Sequence, residues 1–523
     1  MRVLDCLSRR GLLLGLGAGS ALVGVGRQAL ADPVFADYPF TLGVAAGDPL
    51  PDGFVIWTRL APQPLEFGSG MPHAPVPVTW EVASDGGFRT VVRQGGAVAR
   101  PELGHSVHVE VEGLEPGRPY WYRFRAGAER SATGRVRTAP VAGASIAGVR
   151  FGVLGCQSYE QGYYTAHRKA ADDNLDFVFA YGDYIYENRP SRTYTGSGGT
   201  IENPRMYVGG EPYSLDDYRL RYAQTKLDVD LQSCHQSAAW FCTWDDHEID
   251  NNWTGDHDQD GTDPAVFLLR RQAAAQAFYE NMPLRRSAFP RGADIQLYRN
   301  AAWGDLLDLN FLDTRQFRSP QPCDDVFAVT CAGVNDPASQ VMGDAQEAWL
   351  YQALDRSTAH WKVLAQQVMV MDLDRKAGPE LGYNLDSWAG YRIPRQRLLK
   401  RLHDRRIGNA IVLTGDEHQN YAGELYLDSR NPEGAPVAVE FVGTSISSSG
   451  DGQDQREDGR RIVADNPFLK FNNAQRGYVV CDVTRERWQT EFKVLDKVSE
   501  RGGTLTTRQT MVVVSGDSRL VSA

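Results

Sequence analysis

Four short apolar runs, each followed at once by polar side chains that can bind metal, constrain this chain more than any other feature of its sequence. The runs are residues 150–155, 177–182, 240–244 and 410–415, and each has the length and composition of a buried β-strand. In open α/β sheets, ligands bind beyond the carboxyl ends of the strands. Four such ends can converge on one crevice, and the sequence therefore predicts a site there.

The side chains that follow these runs differ in kind but can all bind metal or substrate: Cys156, Asp183, Tyr186, Asp246, His247, Asp416 and His418. Taken alone, an Asp after a strand is more often a helix N-cap than a ligand. Four such ends carrying Tyr, His and Cys as well are hard to explain as caps. Thiolate, imidazole and phenolate suit a transition metal such as iron, whereas carboxylates, including a shared Asp183, suit Ca²⁺, Mg²⁺ or Mn²⁺.

The chain is predicted to be α+β with two domains, because 523 residues exceed the usual size of a single core. Residues 38–140 alternate between apolar and polar side chains, and a Leu-x-Pro turn leads into a Tyr-x-Tyr strand at 114–122. This pattern indicates a fibronectin- or immunoglobulin-like β-sandwich, with a carbohydrate- or partner-binding module as the less favoured interpretation. Residues 141–149 form a small-residue linker.

Residues 150–523 alternate apolar runs with helical stretches at 263–281 and 344–358, which favours a layered α/β domain. Gly182 and Gly415 are expected in tight turns that let the backbone leave the sheet abruptly. The Gly/Ser-rich segments 195–200 and 445–452 are predicted to be surface loops.

The first 31 residues have the pattern of a twin-arginine signal peptide. Arg9 and Arg10 precede an apolar run at 12–25, and the small-residue sequence 29–31 follows as a cleavage site. The run is too short and too rich in glycine for a stable membrane anchor. We therefore expect export by the twin-arginine machinery to the periplasm or beyond. A chance arginine pair before a buried helix is the alternative.

The net charge limits the partners of the mature chain. Removing residues 1–31 takes away four arginines and one aspartate, so the charge at pH 7 changes from −11 to −14. Such a surface opposes docking on nucleic acid or anionic lipid. Of the six remaining cysteines, Cys323 and Cys331 bracket a short loop, where an oxidising compartment permits a disulfide, and Cys234 with Cys242 is a weaker pair.

Four ordered motifs give the chain a specific family resemblance: Gly-Asp-Tyr-Ile-Tyr-Glu at 182–187, Trp-Asp-Asp-His-Glu-Ile-Asp-Asn-Asn-Trp at 244–253, Trp-Lys-Val-Leu-Ala-Gln-Gln at 361–367 and Gly-Asp-Glu-His at 415–418. They resemble the alkaline phosphatase D family of calcineurin-like metallophosphoesterases, which is related to the purple acid phosphatases. The resemblance covers nearly the whole mature chain. It implies an α/β-sandwich metallophosphoesterase domain at 150–523, behind the N-terminal β-sandwich.

The resemblance also implies a role for each of the seven side chains. Cys156, Asp183, Tyr186 and His418 would bind Fe³⁺, with Tyr186 as a phenolate. Asp183 would bridge to a Ca²⁺ site that includes Asp246 and Asp416. His247 would contact the phosphate and protonate the leaving alkoxide or stabilise the transition state. Compared with the wider superfamily, Cys156 replaces an Asp, Asp416 replaces a His, and Gln366 or Gln367 falls near another expected His.

The function implied is an exported phosphoesterase that hydrolyses small phosphate monoesters, and diesters too, with a metal-activated water. Two alternatives stay open. One is a phosphodiesterase with phospholipase D activity in the same family. The other is a surface-binding protein that has kept the fold and lost the chemistry.

Replacing both Arg9 and Arg10 by Lys should leave the precursor in the cytoplasm, because the twin-arginine receptor recognises that pair. Cell fractionation with an activity assay measures this. Normal activity outside the cytoplasm in the double variant would contradict the predicted export route.

Overall fold

The computed structural model describes residues 33–196, 199–325, 328–329, 331–432 and 434–523. The predicted signal peptide at 1–31 lies outside the described residues. The fold is mixed α+β, as predicted, and two large sheets form its centre.

The first sheet has ten strands in the order β27-β26-β25-β24-β9-β10-β13-β1-β2-β5. The strands in chain order are β1 (Val44–Leu50), β2 (Gly53–Arg59), β5 (Ser106–Val111), β9 (Val149–Leu154), β10 (Phe177–Ala180), β13 (Ala239–Cys242), β24 (Gly477–Val483), β25 (Arg487–Leu495), β26 (Leu505–Val514) and β27 (Leu520–Ser522). The four neighbours β9, β10, β13 and β1 are parallel, and the flanking pairs are antiparallel.

The second sheet has eight strands in the order β14-β15-β17-β19-β21-β20-β23-β22. They are β14 (Arg299–Trp303), β15 (Leu307–Phe311), β17 (Trp361–Ala365), β19 (Ala410–Thr414), β20 (Asn420–Leu425), β21 (Ala438–Val442), β22 (Gly452–Gln453) and β23 (Leu469–Gln475). Its centre, β15-β17-β19-β21, is again parallel. The three predicted strand runs at 150–155, 177–182 and 240–244 therefore lie side by side in the first sheet, and the run at 410–415 lies in the second.

Three smaller sheets complete the strands. One contains β3 (Val76–Ala83), β4 (Val91–Ala99), β6 (Pro119–Ala126), β7 (Glu129–Arg130) and β8 (Gly134–Arg137). The other two are the hairpin of β11 (Thr193–Gly196) with β12 (Gly199–Glu202), and the pair of β16 (Ala328–Val329) with β18 (Gly382–Tyr383).

The two large sheets pack on each other through one buried cluster, and the helices cover their outer sides. Phe177 and Phe179 of β10 share this cluster with Leu309 of β15 and Leu413 of β19. Val178, between them, points to the opposite face and packs with the helices, which is the period-two alternation of a strand. The described part of the chain contains seven α-helices: α1 (Thr165–Ala171), α2 (Leu215–Lys226), α3 (Val229–Ser237), α4 (Pro264–Asn281), α5 (Gly343–Arg356), α6 (Arg392–Asp404) and α7 (Gly459–Asp465).

The N-terminal region is joined to the rest of the chain by strand pairing. β1 pairs in parallel with β13, at Ala46 opposite Ala239 and Gly47 opposite Trp240. The sheet of β3, β4, β6 and β8 packs over β1, β2 and β5 through its own buried cluster. The residue boundary near 140 is therefore not a break in hydrogen bonding, because three strands that precede it extend the first sheet.

The Tyr181 ring holds the ends of both large sheets together. It lies against Gly155 after β9, Gly415 after β19 and Gly443 after β21, and its hydroxyl donates to the carbonyl of Thr444 at 2.5 Å. A β-carbon at Gly415 would lie 2.1 Å from the ring, and one at Gly155 would lie 2.2 Å from it. These glycines are needed because the ring fills the space that a side chain would occupy.

Both glycines meet the expectation of a tight turn: the carbonyl of Gly415 accepts a hydrogen bond from the backbone nitrogen of Glu417 at 2.8 Å, and Gly415 also admits the Tyr181 ring. The φ of Gly182 is +129°, a conformation that other residues rarely adopt, and its β-carbon would lie 2.4 Å from the backbone nitrogen of Asp245. Gly415 is absent from the residues of positive φ.

Cys323 and Cys331 form the disulfide that the sequence permits, whereas Cys234 and Cys242 are free and buried. Among the described residues, no helix is both long enough and apolar enough to cross a membrane.

Gly415→Ala should destabilise the fold by about 1–3 kcal/mol, because the added methyl group overpacks the Tyr181 ring. Chemical denaturation of the two proteins measures the difference. Gly408→Ala is the matched control, since Gly408 is exposed, has no positive φ and would meet no atom within 4 Å. Equal stability of the two variants would contradict this role for the ring.

Candidate metal centre

The polar residues after β9, β10, β13 and β19 meet at one place between the two sheets. Three sets of side chains there each have ligand atoms within 4.8 Å of one another: Cys156 with Asp183 and His418, Asp183 with Asp246 and His247, and Asp245 with Asp246 and Asp416. Asp183 belongs to two sets and Asp246 to two, so the sets are contiguous. They border a cavity of about 350 Å³.

Tyr186 joins the first set. Its hydroxyl lies 2.8 Å from Oδ2 of Asp183 and 3.0 Å from Nε2 of His418. The structure thus brings Cys156, Asp183, Tyr186 and His418 together, as the sequence predicts. A thiol, a phenol, an imidazole and a carboxylate around one point form the mixed donor set that suits iron.

Four of these residues have backbones in the left-handed region. The φ angles are +53° at Cys156, +54° at Asp183, +66° at Asp416 and +53° at His418. Such conformations cost on the order of 1–3 kcal/mol each for residues other than glycine, and they persist where the surroundings fix them. At each strand end the left-handed turn directs the side chain back towards the same point. The convergence of these side chains accounts for the strained backbone conformations.

The carboxylates fit bound cations, because their buried oxygens are not satisfied by the protein. Within the described residues, Oδ1 of Asp183, Oδ2 of Asp245 and Oδ1 of Asp246 accept no hydrogen bond. Burial, together with the neighbouring carboxylates, raises the pKa of Asp245 and that of Asp416 well above the usual range. A cation among these oxygens would satisfy the unpaired oxygens and offset the repulsion between the buried carboxylates. The residues present therefore fit a metal site of hard oxygen ligands.

Arg315 supplies part of the positive charge that this cluster needs. It is fully buried, and its Nε lies 2.6 Å from Oδ1 of Asp245, while its other nitrogens lie 2.9 Å from Asp386, 3.6 Å from Asp246 and 3.5 Å from Asp416. Burial acts to raise the pKa of Asp246, but the charges of Arg315 and His247 and the hydrogen bond from the backbone of Asn252 together outweigh burial and keep that pKa well below the usual range. Asp245 is engaged by Arg315, which leaves Asp246 as the freer ligand of the two.

Glu187 orients His247. Its Oε2 lies 2.7 Å from Nδ1 of His247, and its Oε1 accepts a hydrogen bond from the backbone of Asn251 at 3.0 Å. The imidazole also stacks on the Tyr186 ring, with centroids 4.1 Å apart. Burial lowers the pKa of His247, but the carboxylates of Glu187, Asp246 and Asp183 outweigh burial and hold this pKa well above the usual range. These carboxylates therefore favour the protonated form of His247, which can donate a proton.

Glu248 fixes two of the strand ends to each other. Its carboxylate accepts hydrogen bonds from the backbone nitrogens of Asp183 at 3.1 Å, Tyr184 at 2.6 Å and Asp245 at 2.8 Å. Burial raises its pKa to about 8. The side chain acts on the backbone that carries the ligands and is not itself among the residues that border the cavity.

Residues 445–448, the first half of the segment 445–452 that was predicted to be a surface loop, are buried and belong to the centre, whereas Gly452 is exposed. Oγ of Ser448 lies 2.6 Å from the Tyr186 hydroxyl and 2.7 Å from the carbonyl of Cys156, and Ser447 donates to the carbonyl of Ser158 at 2.7 Å. The prediction was wrong because these serines bond to the polar backbone after β9, so the segment needs no contact with water.

Sequence reasoning missed Glu187, Arg315 and Asp386 as functional residues. Glu187 lies within a motif that was recognised, so its position was a usable signal. Arg315 follows β15 and obeys the same strand-end rule, but Asp308 and Asn310 interrupt the apolar pattern of that strand. Asp386 lies in a loop and has no comparable signal in the sequence.

Gln366 and Gln367, near an expected His position, do not border the cavity. Gln367 accepts hydrogen bonds from Thr314 and donates to the carbonyl of Leu312 at 2.9 Å. Gln366 accepts one from Trp388 at 3.1 Å. Both side chains therefore stabilise the neighbouring turns.

Comparison with known proteins agrees with the resemblance found in the sequence. The PhoD-like phosphatase family matches residues 151–492, and the N-terminal domain of PhoD-like phosphatases matches residues 27–140. Alkaline phosphatase D of Bacillus subtilis (strain 168) is 44% identical over 502 residues, covering 96% of this chain and 85% of that protein. A solved structure described as "Structure of PhoD" superposes with a TM-score of 0.91 at 44% identity, covering 94% of this chain and 93% of that chain. This chain therefore belongs to the PhoD-like phosphatase family.

Proposed function

We propose that this protein is an exported, metal-dependent phosphoesterase that hydrolyses small phosphate monoesters and also diesters. The observation that carries the proposal is the contiguous arrangement of the three ligand sets around Asp183, open to a cavity of about 350 Å³. Membership of the PhoD-like phosphatase family supports the same reaction.

Two kinds of ion fit the donors. Cys156, Asp183, Tyr186 and His418 would hold Fe³⁺, and Asp183, Asp246 and Asp416 would hold Ca²⁺. When bound, these ions hold the phosphate oxygens and activate the attacking water. Ser448 is placed to support Tyr186 as a phenolate, because its hydroxyl, 2.6 Å away, can turn to donate to the phenolate oxygen.

His247 acts on the substrate side. It lines the cavity, and Glu187 fixes its ring through Nδ1, which leaves Nε2 as the nitrogen that can reach a leaving oxygen. A protonated imidazole in this position can protonate an alkoxide as the ester bond breaks, or stabilise the charge of the transition state. The cavity itself is lined largely by polar side chains and accepts a small phosphate ester.

The cellular compartment and the domain architecture of the protein are also part of the proposal. A twin-arginine signal at 1–31 would deliver the folded enzyme to the periplasm or the medium. A fibronectin- or immunoglobulin-like sandwich at 38–140 would precede the α/β-sandwich domain at 150–523. A mature charge of −14 favours a small phosphorylated substrate over nucleic acid or an anionic membrane.

Two substitutions separate metal binding from proton transfer. Asp183→Asn should lose metal and hydrolysis together, because this carboxylate belongs to two ligand sets. His247→Ala should keep its iron, and with it the visible absorption of a ferric phenolate. Its chemical step should slow by about 10²–10⁴-fold, the usual contribution of a positioned proton donor. The loss should be largest for alkyl monoesters and diesters and smaller for aryl esters, whose leaving groups need less protonation.

Elemental analysis, visible spectra and single-turnover rates on matched alkyl and aryl esters measure these effects. His257→Ala is the control, since His257 is exposed and does not border the cavity. If His247→Ala loses iron, or slows all esters equally, the acid role is wrong. If the metal-loaded wild type hydrolyses no phosphate ester, the proposed function fails.

A further inference from the structure

A second cavity, of about 380 Å³, lies directly beside the metal centre. Gln161 and Tyr194 border both cavities. Between them, the side chain of Gln161 accepts a hydrogen bond from the backbone of Ser449 at 2.5 Å, and Oγ of Ser449 lies 3.3 Å from Nδ1 of His418. Gln161 and Tyr194 therefore form part of a wall that the two cavities share.

Arg476 brings a buried positive charge to the second cavity. Its side chain is 1% exposed and donates to the carbonyls of Gly450 and His418 and to the hydroxyl of Ser445. Among the residues that the structure describes, no carboxylate forms an ion pair with it. The guanidinium is charged at any physiological pH. The oxygens that accept its hydrogen bonds are neutral, so they solvate the charge but do not neutralise it.

Arg456 adds a second charge to the same cavity. It is half-buried, and in the described part of the chain its side chain forms no hydrogen bond, ion pair or contact with an aromatic ring. Arg456 and Arg476 border the same cavity. Two like charges that face one cavity without acidic partners are unfavourable unless an anion lies between or near them.

The acidic side chains on the cavity wall do not neutralise these arginines. Asp451 accepts hydrogen bonds from the backbone nitrogens of Val498 at 2.6 Å and Ser499 at 2.7 Å, and it also accepts from the Ser499 hydroxyl. Glu202, at the end of β12, is exposed. Neither pairs with Arg456 or Arg476 within the described residues.

We propose that the second cavity is an anion subsite, which binds a phosphate or carboxylate group on the part of the substrate remote from the phosphate that is hydrolysed. The planar donors of arginine match both groups. The inference rests on the proposed function and narrows it: the preferred substrates are esters that carry a second negative charge. Arg456 sets this preference, because Arg476 also supports the backbone of His418.

Chain-matched esters test the subsite. The probes are alkanediol bisphosphates of three to six carbons, the hydroxyalkyl monophosphates of the same lengths, and the corresponding carboxyalkyl phosphates. For at least one length, the wild type should show a kcat/KM about ten-fold or more higher for a doubly anionic ester than for its hydroxyalkyl partner, mainly through KM. A larger increase in kcat/KM for the bisphosphate than for the carboxyalkyl phosphate would mean that the subsite recognises phosphate specifically. Equal increases for the two compounds would mean that it recognises negative charge alone.

Arg456→Gln should remove this preference and leave the ratio of the two kcat/KM values near one. Arg460→Gln is the matched control, because Arg460 is an exposed arginine of α7 outside the cavity, and its substitution should keep the wild-type ratio. The preference should also shrink at high ionic strength. No preference in the wild type at any length, or the same loss in both variants, would overturn the subsite.

A binding measurement separates this inference from the proposed function. Calorimetric titration of the metal-loaded protein with 1,4-butanediol bisphosphate and with 4-hydroxybutyl phosphate requires no turnover. Tighter binding of the bisphosphate that Arg456→Gln abolishes supports the subsite even if no ester is hydrolysed. Equal binding of the two compounds overturns the subsite even if both are hydrolysed.

Discussion

Negative charge is buried at the ends of the parallel strands, and the surrounding side chains and backbone are arranged around it. Asp183, Asp245 and Asp246 are almost completely buried, and Asp416 lies beside them. Removing one such charge from water costs several kcal/mol unless it is paired and hydrogen-bonded. Arg315 contacts Asp245 directly and approaches Asp246 and Asp416, but it also pairs with Asp386, so unsatisfied oxygens are left that cations can fill.

The backbone around the cluster is arranged to hold this charge. Glu248 ties the turns after β10 and β13 together through three backbone nitrogens, and the Tyr181 ring joins the ends of both sheets. Left-handed backbone at four candidate ligand positions then directs side chains from different strands to one point. The strain is acceptable because every turn is fixed by buried contacts that do not depend on the substrate. A rigid centre of this kind suits a reaction in which binding and orientation of phosphate matter most.

Much of this centre could be predicted because it follows one rule of sheet topology. Cys156, Asp183 and Asp416 each come directly after an apolar run, and the carboxyl ends of such strands share an edge. Arg315 obeys the rule but follows a strand interrupted by polar residues, so periodicity did not reveal it. Buried serines at 445–448 were predicted to be exposed, because sequence shows that serine is polar but not that a neighbouring carbonyl will satisfy it. The sequence also did not predict that the first sheet continues into β1 and β2, because β1 pairs with β13 at only two positions.

Cations would complete the charge balance of the centre built around Asp183. The most direct test measures the thermal unfolding midpoint together with the metal content of the protein as purified, after its metals are stripped, and after Fe³⁺ and Ca²⁺ are restored. Ligands that bind only the folded state stabilise it, by about 4 kcal/mol at a thousand times their dissociation constant. The midpoint should fall when the metals are stripped, return when they are restored, and in Asp183→Asn not respond to added metal. An unchanged midpoint in the stripped wild-type protein would show that bound cations do not stabilise this centre.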